Sequence, residues 1–123
     1  MVLGVAKILV VEDDSSLRTV IRLVLEQADY QVAEAPNGRA ALDQLADESP
    51  DLILVDSKMP LLTGVELIER LRAQPQYAQT PVVLLTGLPG SVPADAAANA
   101  IVAKPFEKED LLNVIQGLLG SRT

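Results

Sequence analysis

Leu52-Ile53-Leu54-Val55-Asp56, followed by Ser57-Lys58-Met59-Pro60-Leu61-Leu62-Thr63-Gly64, is the stretch from which the fold is read. Four consecutive aliphatic residues suit a strand buried on both faces. The run stops at a carboxylate, Pro60 and Gly64 punctuate a loop, and an amphipathic segment follows. A carboxylate that ends a buried parallel strand lies on the edge where open α/β sheets bind ligands. On this stretch alone, Asp56 serves equally well as a turn residue or as a cap for the next helix.

Upstream, Lys7-Ile8-Leu9-Val10-Val11 repeats the aliphatic run and ends in three acids, Glu12, Asp13 and Asp14. Ser15 and Ser16 supply capping hydroxyls. Leu17, Val20, Ile21, Val24, Leu25 and Ala28 then recur at the spacing of an amphipathic helix. Tyr30 to Ala35 reads as a second strand, Pro36-Asn37-Gly38 as a turn, and Ala41, Leu42, Leu45 and Ala46 as the apolar face of a second helix. Downstream, Val65, Leu67, Ile68 and Leu71 predict a third helix that fades before Pro75. Pro81 to Thr86 predicts a fourth strand and Ala100 to Ala103 a fifth, ending at Lys104-Pro105. Leu111, Leu112, Val114, Ile115, Leu118 and Leu119 mark a last helix. This alternation predicts an α/β fold, a parallel sheet with helices on both faces. Right-handed crossovers then bring every βα loop to one sheet edge. No linker or repeat divides residues 1–123, so one domain is expected. The weak segment is Gly87 to Asn99. Two Pro and two Gly in its first half confine any helix to Ala94–Asn99, about two turns at most.

Composition narrows the chemistry. There is no Cys and no His, which excludes disulfides, thiolate chemistry, a Ser-His triad and zinc sites built from those ligands. Any metal must sit on oxygen, as a hard cation such as Mg2+ does. A net charge of −7 argues against direct nucleic-acid binding, which depends on cations neutralising phosphates. Met1 to Val11 is too short to span a bilayer, is interrupted by Lys7 and lacks the pattern of a signal peptide, so a soluble, cytoplasmic protein is expected.

The predicted strands deliver Glu12, Asp13, Asp14, Asp56, Thr86 and Lys104 to the same edge. A carboxylate cluster raises its own pKa values unless a cation intervenes. Asp13 and Asp56, with a main-chain carbonyl and water, suit Mg2+, and Lys104 and the Thr86 hydroxyl can bind anionic oxygens beside it. That combination describes a phosphoryl-handling site in which an Asp can act as nucleophile. Taken singly, the acidic triplet also reads as a helix cap, Thr86 as a β-former and Lys104 as a surface lysine.

With those residues in view, the sequence resembles the receiver domain of two-component response regulators over essentially its whole length. The matching residues are Glu12-Asp13, Asp56, Met59-Pro60, Gly64, Thr86 and Lys104-Pro105-Phe106. The resemblance implies a flavodoxin-like doubly wound sheet of five parallel strands, in the order 2-1-3-4-5, with five helices. It implies that Asp56 accepts a phosphoryl group from a histidine kinase or phosphotransfer protein, with the domain catalysing its own phosphorylation and dephosphorylation. Asp13, Asp56 and the Ser57 main-chain carbonyl would hold Mg2+, with Glu12 acting through water. Lys104, joined to Pro105 by a cis bond, would pair with Asp56 and then with the phosphoryl group, and Thr86 would swing toward it. Thr86 and Ile101 would form the switch that changes contacts with an effector protein, a fused output domain or a second copy of the chain.

Three positions depart from the family pattern. Ile101 stands where Tyr or Phe is common, and the segment from Thr86 to Lys104 is about one helical turn short, so a stunted or irregular fourth helix is expected. Lys58 and Leu88, which flank the path of attacking water in the family, give it little to bond, so a long-lived phosphoryl group is expected. An alternative reading is a pseudo-receiver, an interaction module that retains the site and has lost the switch. Ile101 and the short segment favour that alternative, whereas Asp13, Asp56, Thr86 and Lys104 oppose it.

Overall fold

The computed structural model describes residues 5–120. Strands β1 (Lys7–Val11), β2 (Gln31–Ala35), β3 (Leu52–Asp56), β4 (Val82–Thr86) and β5 (Ala100–Ala103) form one parallel sheet in the order β2-β1-β3-β4-β5. Helices α1 (Ser15–Gln27), α2 (Gly38–Leu45), α3 (Gly64–Arg72) and α4 (Lys108–Leu119) cover its two faces. The sheet order is the one the family resemblance implies. Among the described residues, no helix is long and apolar enough to cross a membrane.

Strand periodicity divides the core in two. Leu9, Val11, Ile53, Val55, Val82 and Leu84 pack toward α2 and α3, while Ile8, Val10, Leu52, Leu54, Val83 and Leu85 pack toward α1 and α4. Every residue of β3 and β4 is buried, as the aliphatic runs predict. Each buried Leu, Ile or Val side chain contributes roughly 1.5–3 kcal/mol relative to exposure. The central strands are therefore a stiff platform, and what hangs from their carboxyl ends is held in place.

Caps set the helix starts. Asp14, rather than Ser15 or Ser16, caps α1, accepting from Ser16 N and Leu17 N. Asn37 caps α2 through Ala40 N. At α3, Thr63 and Glu66 form a reciprocal capping box. The loop from Asp56 to α3 is tight, with Leu62 N bonded to Pro60 O at 2.8 Å around Leu61, whose φ is +73°. Gly64 closes that loop. A Cβ there would lie 2.5 Å from the Asp56 carbonyl oxygen and 2.9 Å from Ser57 Cα.

The expectation of five helices is corrected to four among the described residues. Between β4 and β5 the chain forms a 3₁₀ turn at Pro89–Ser91 and a further turn closed by Ala96 N on Pro93 O at 3.0 Å, and Ala94–Asn99 is not helical. Pro89 and Pro93 donate no amide hydrogen and bias their predecessors toward extended backbone. Six residues are also too few to offset helix nucleation without a large apolar face. Outside partners take the polar groups instead. Asn99 mimics a strand neighbour, its N donating to Val82 O at 2.8 Å and its Oδ1 accepting from Val82 N at 2.9 Å. Arg72 donates to the carbonyls of Tyr77, Thr80 and Ala97 and to Asn99 Oδ1, pinning the end of the segment to the end of α3.

Gly64→Ala is expected to destabilise the domain by about 3 kcal/mol, because the added methyl meets backbone rather than a yielding side chain. Gly117→Ala, in α4 with open space around it, is expected to stabilise by about 0.5–1 kcal/mol. Urea unfolding of both variants checks the pair.

Candidate functional site at the carboxyl edge of the sheet

The alternation that sorts the core also places the polar residues. Glu12 continues the parity of Ile8 and Val10, Asp56 that of Leu52 and Leu54, and Lys104 that of Val102, so all three emerge on the α1/α4 side. Thr86 has the parity of Val82 and Leu84 and belongs to the other face. The ladder joins the strand ends: Ser57 N donates to Leu85 O, and Lys104 N donates to Thr86 O, each at 2.8 Å.

At this edge the Lys104 ammonium forms an ion pair with Asp56 Oδ1 and lies 3.5 Å from Glu12 Oε1. Asp56 and Glu12 are 3% and 2% exposed, so the pair is largely desolvated. Asp13 is exposed at the rim. Carboxylate oxygens of Glu12, Asp13 and Asp56 all lie within 4.8 Å of one another. Glu12 Oε2 accepts from Asp14 N at 3.1 Å, whereas Glu12 Oε1 and Asp56 Oδ1 are buried and meet the Lys104 ammonium. Three converging carboxylates, with one lysine among them, are a donor set that fits a hard divalent cation. The Lys104–Pro105 bond is cis, as the resemblance implies.

Of the other residues singled out in the sequence, the Ser57 carbonyl already accepts from Gly64 N at 3.0 Å, which leaves it one lone pair. The Thr86 hydroxyl is buried and accepts from Leu88 N at 3.0 Å. Ile101 is 45% exposed on β5, and Lys58 and Leu88 are both exposed. One residue that the sequence did not mark is Arg18, in the first turn of α1. Its Nη1 donates to the Glu12 carbonyl at 2.7 Å, and its Nε to Glu34 Oε1 at 3.0 Å. The available signal was weak, a cation beside the apolar stripe of a helix that begins at the acids.

Burial pushes the Glu12 carboxyl up to about 7. The Asp14 amide opposes the shift, Asp56 adds to it, and Lys104 offsets part of it. Lys104 itself is raised: burial pulls it down, but its hydrogen bond to Asp56 and the charges of Asp56 and Glu12 outweigh that.

The sheet order and this edge define the class of protein, a doubly wound domain that brings a lysine and a cluster of three carboxylates to one rim. A family model described as the response regulator receiver domain matches residues 8–116. The uncharacterised transcriptional regulatory protein YkoG of Bacillus subtilis is 41% identical over 116 residues, 91% of this chain and 50% of that protein. The phosphate regulon transcriptional regulatory protein PhoB of Escherichia coli is 32% identical over 117 residues, 92% of this chain and 51% of that one. Among solved structures, chemotaxis response regulator CheY4 of Vibrio cholerae is 34% identical with a TM-score of 0.86, covering 94% of this chain and 99% of that one. The receiver domain of sensor histidine kinase PA1611 from Pseudomonas aeruginosa, whose structure has a magnesium ion coordinated in the active site cleft, is 30% identical with a TM-score of 0.86, covering 96% and 100%. The chain belongs to the response regulator receiver domain family. It spans about half the length of the curated relatives it matches.

Because the folded Glu12 keeps its proton to about pH 7 while the unfolded one loses it near 4.5, its contribution to stability falls as pH rises between those values. Lys104, raised above its ordinary value, contributes stability below that value that is lost only at still higher pH, so it is flat across this window. In EDTA, wild type is therefore expected to lose roughly 1–3 kcal/mol between pH 4.5 and 8 relative to Glu12→Gln. Denaturant unfolding at a series of pH values measures that difference, and parallel profiles for the two proteins would contradict it.

Proposed function

We propose that this receiver domain takes a phosphoryl group onto Asp56 from a phosphohistidine on a histidine kinase or phosphotransfer protein, and that the new charge alters its protein contacts. The supporting observation is the desolvated Asp56 carboxylate, paired with Lys104 and flanked by the oxygens of Glu12 and Asp13. An Asp56 oxygen attacks phosphorus, the bond from phosphorus to the donor imidazole nitrogen breaks, and the nitrogen leaves with the electron pair. The product is an acyl phosphate. Asp13 and Asp56, with Glu12 through water and the free lone pair of the Ser57 carbonyl, are the residues that would hold Mg2+. Bound there, Mg2+ would neutralise charge on the transferring oxygens.

Lys104 supplies the protein's own cation to the same oxygens. Its backbone hangs from the Thr86 carbonyl, so movement of its ammonium from Asp56 to a phosphoryl oxygen is coupled mechanically to the end of β4. The Thr86 hydroxyl reaches a phosphoryl oxygen by giving up the Leu88 amide, which couples acceptance to the irregular segment that follows. Ile101 on the adjoining strand is 45% exposed, so an inward move would bury apolar surface, though its side chain has no hydroxyl to re-pair. A fused output domain or a separate effector reads the surface. Relatives twice as long support the former. No observation among the site residues favours the pseudo-receiver.

With acetyl phosphate or beryllofluoride and Mg2+, the full chain is expected to form one adduct that Asp56→Asn abolishes, read by intact-protein mass or fluorine resonance. Lys104→Ala is expected to slow acceptance by about 100-fold. The phosphoryl group is expected to persist after the donor is removed, because exposed Leu88 offers attacking water no hydrogen bond, and Leu88→Asn is expected to shorten its life. Rapid loss of label from wild type would contradict that last expectation.

A further inference from the structure

Arg18 bonds none of the three carboxylates, yet it bonds the backbone on which that cluster is built. The carbonyl it holds at 2.7 Å belongs to the peptide unit that joins Glu12 to Asp13. The orientation of that unit governs the directions in which both side chains leave the chain. On its other side Glu12 N is tied to Ala35 O at 3.1 Å, so the residue is gripped at both its amide and its carbonyl. The guanidinium is itself fixed. Glu34 Oε1 accepts from Arg18 Nε at 3.0 Å, and Glu34 Oε2 pairs with Arg22 Nε at 3.1 Å. Arg22 also meets Glu26 at 3.1 Å, completing a chain of alternating charges from α1 to β2.

We propose that Arg18 is a positioning residue of the cation site, holding the Glu12–Asp13 peptide, with Glu34 as its anchor, so that the two carboxylates converge with Asp56. The inference rests on the Mg2+ reading of that site. It uses the planar fork of arginine, which sends one N–H to a carbonyl and another to a carboxylate in fixed relative directions. Outer groups that orient ligands typically change metal affinity by about 10- to 100-fold when removed.

The positioning role and a purely electrostatic role predict opposite signs. A positive charge on the same end of β1 opposes Mg2+, so neutralising Arg18 would tighten binding if charge were all it supplied. Loss of the brace weakens binding, because the Glu12 and Asp13 carboxylates must then be ordered by the metal itself.

The test is titration of the full chain with Mg2+ alone, by calorimetry well below the unfolding temperature, with Tm recorded for each variant. Wild type is expected to bind saturably. Arg18→Gln is expected to weaken Mg2+ by about 10-fold, Arg18→Lys by less, and Arg22→Gln hardly at all. Unchanged or tighter binding by Arg18→Gln overturns the proposal, as does a fall in Tm with affinity preserved. Should Arg18→Gln fail to fold, Glu34→Ala carries the test, since it removes the acceptor of Arg18 Nε and leaves Arg18 in place without its anchor; unchanged affinity there overturns the proposal equally. Absence of saturable binding by wild type is a distinct result, which removes the Mg2+ reading and this inference with it.

Discussion

The ion pair of Lys104 with Asp56, with Glu12 beside it, is the interaction around which the edge of the sheet is arranged. Two carboxylates almost wholly removed from water would repel each other and neutralise by protonation; a single ammonium from β5's end limits that. It does so incompletely: Glu12 stays raised, chiefly by its burial, with the Asp56 charge adding to it. The site therefore has more negative charge than the protein's own cation can balance. A divalent cation and a phosphoryl group are the kinds of species that such an arrangement can exchange between resting and modified states.

That arrangement needs the strand order. β1 and β4 flank β3, and β5 lies beyond β4, so residues separated by tens of positions in sequence end on one rim. The buried strands make the rim rigid, since each is locked on both faces by aliphatic side chains. Gly64 lets α3 start almost in contact with the Asp56 backbone, which draws the loop after the acceptor into a fixed path.

The segment between Thr86 and Ala100 has a different character. Its far end is fastened by Arg72 and Asn99 and its near end by the Leu88 amide on the Thr86 hydroxyl, with proline-rich turns between. Between these two ends the chain is largely exposed, whereas Ala97 and Asn99 are held by Arg72.

Periodicity and residue type were enough to read all five strands, the four helices that form, and the candidate Asp13, Asp56, Thr86 and Lys104, because aliphatic runs and carboxylates at their ends are properties of the chain itself. The same reading showed that the stretch after Thr86 would be poor helix, though it left two turns at Ala94–Asn99 that do not form. What it missed shares one physical cause. Arg18, Arg72 and Tyr77 act on main-chain carbonyls: Tyr77 donates to those of Leu45 and Glu48, Arg72 to those of Tyr77, Thr80 and Ala97, and Arg18 to that of Glu12. A carbonyl is the same at every residue and leaves no trace in sequence, so only the folded arrangement could show which ones these side chains find. The sequence alone determined which groups could do phosphoryl chemistry. The tertiary structure decided which of them share a face, which oxygens meet the lysine, and which cation holds their backbone, since each of these depends on distances between strands that are remote along the chain.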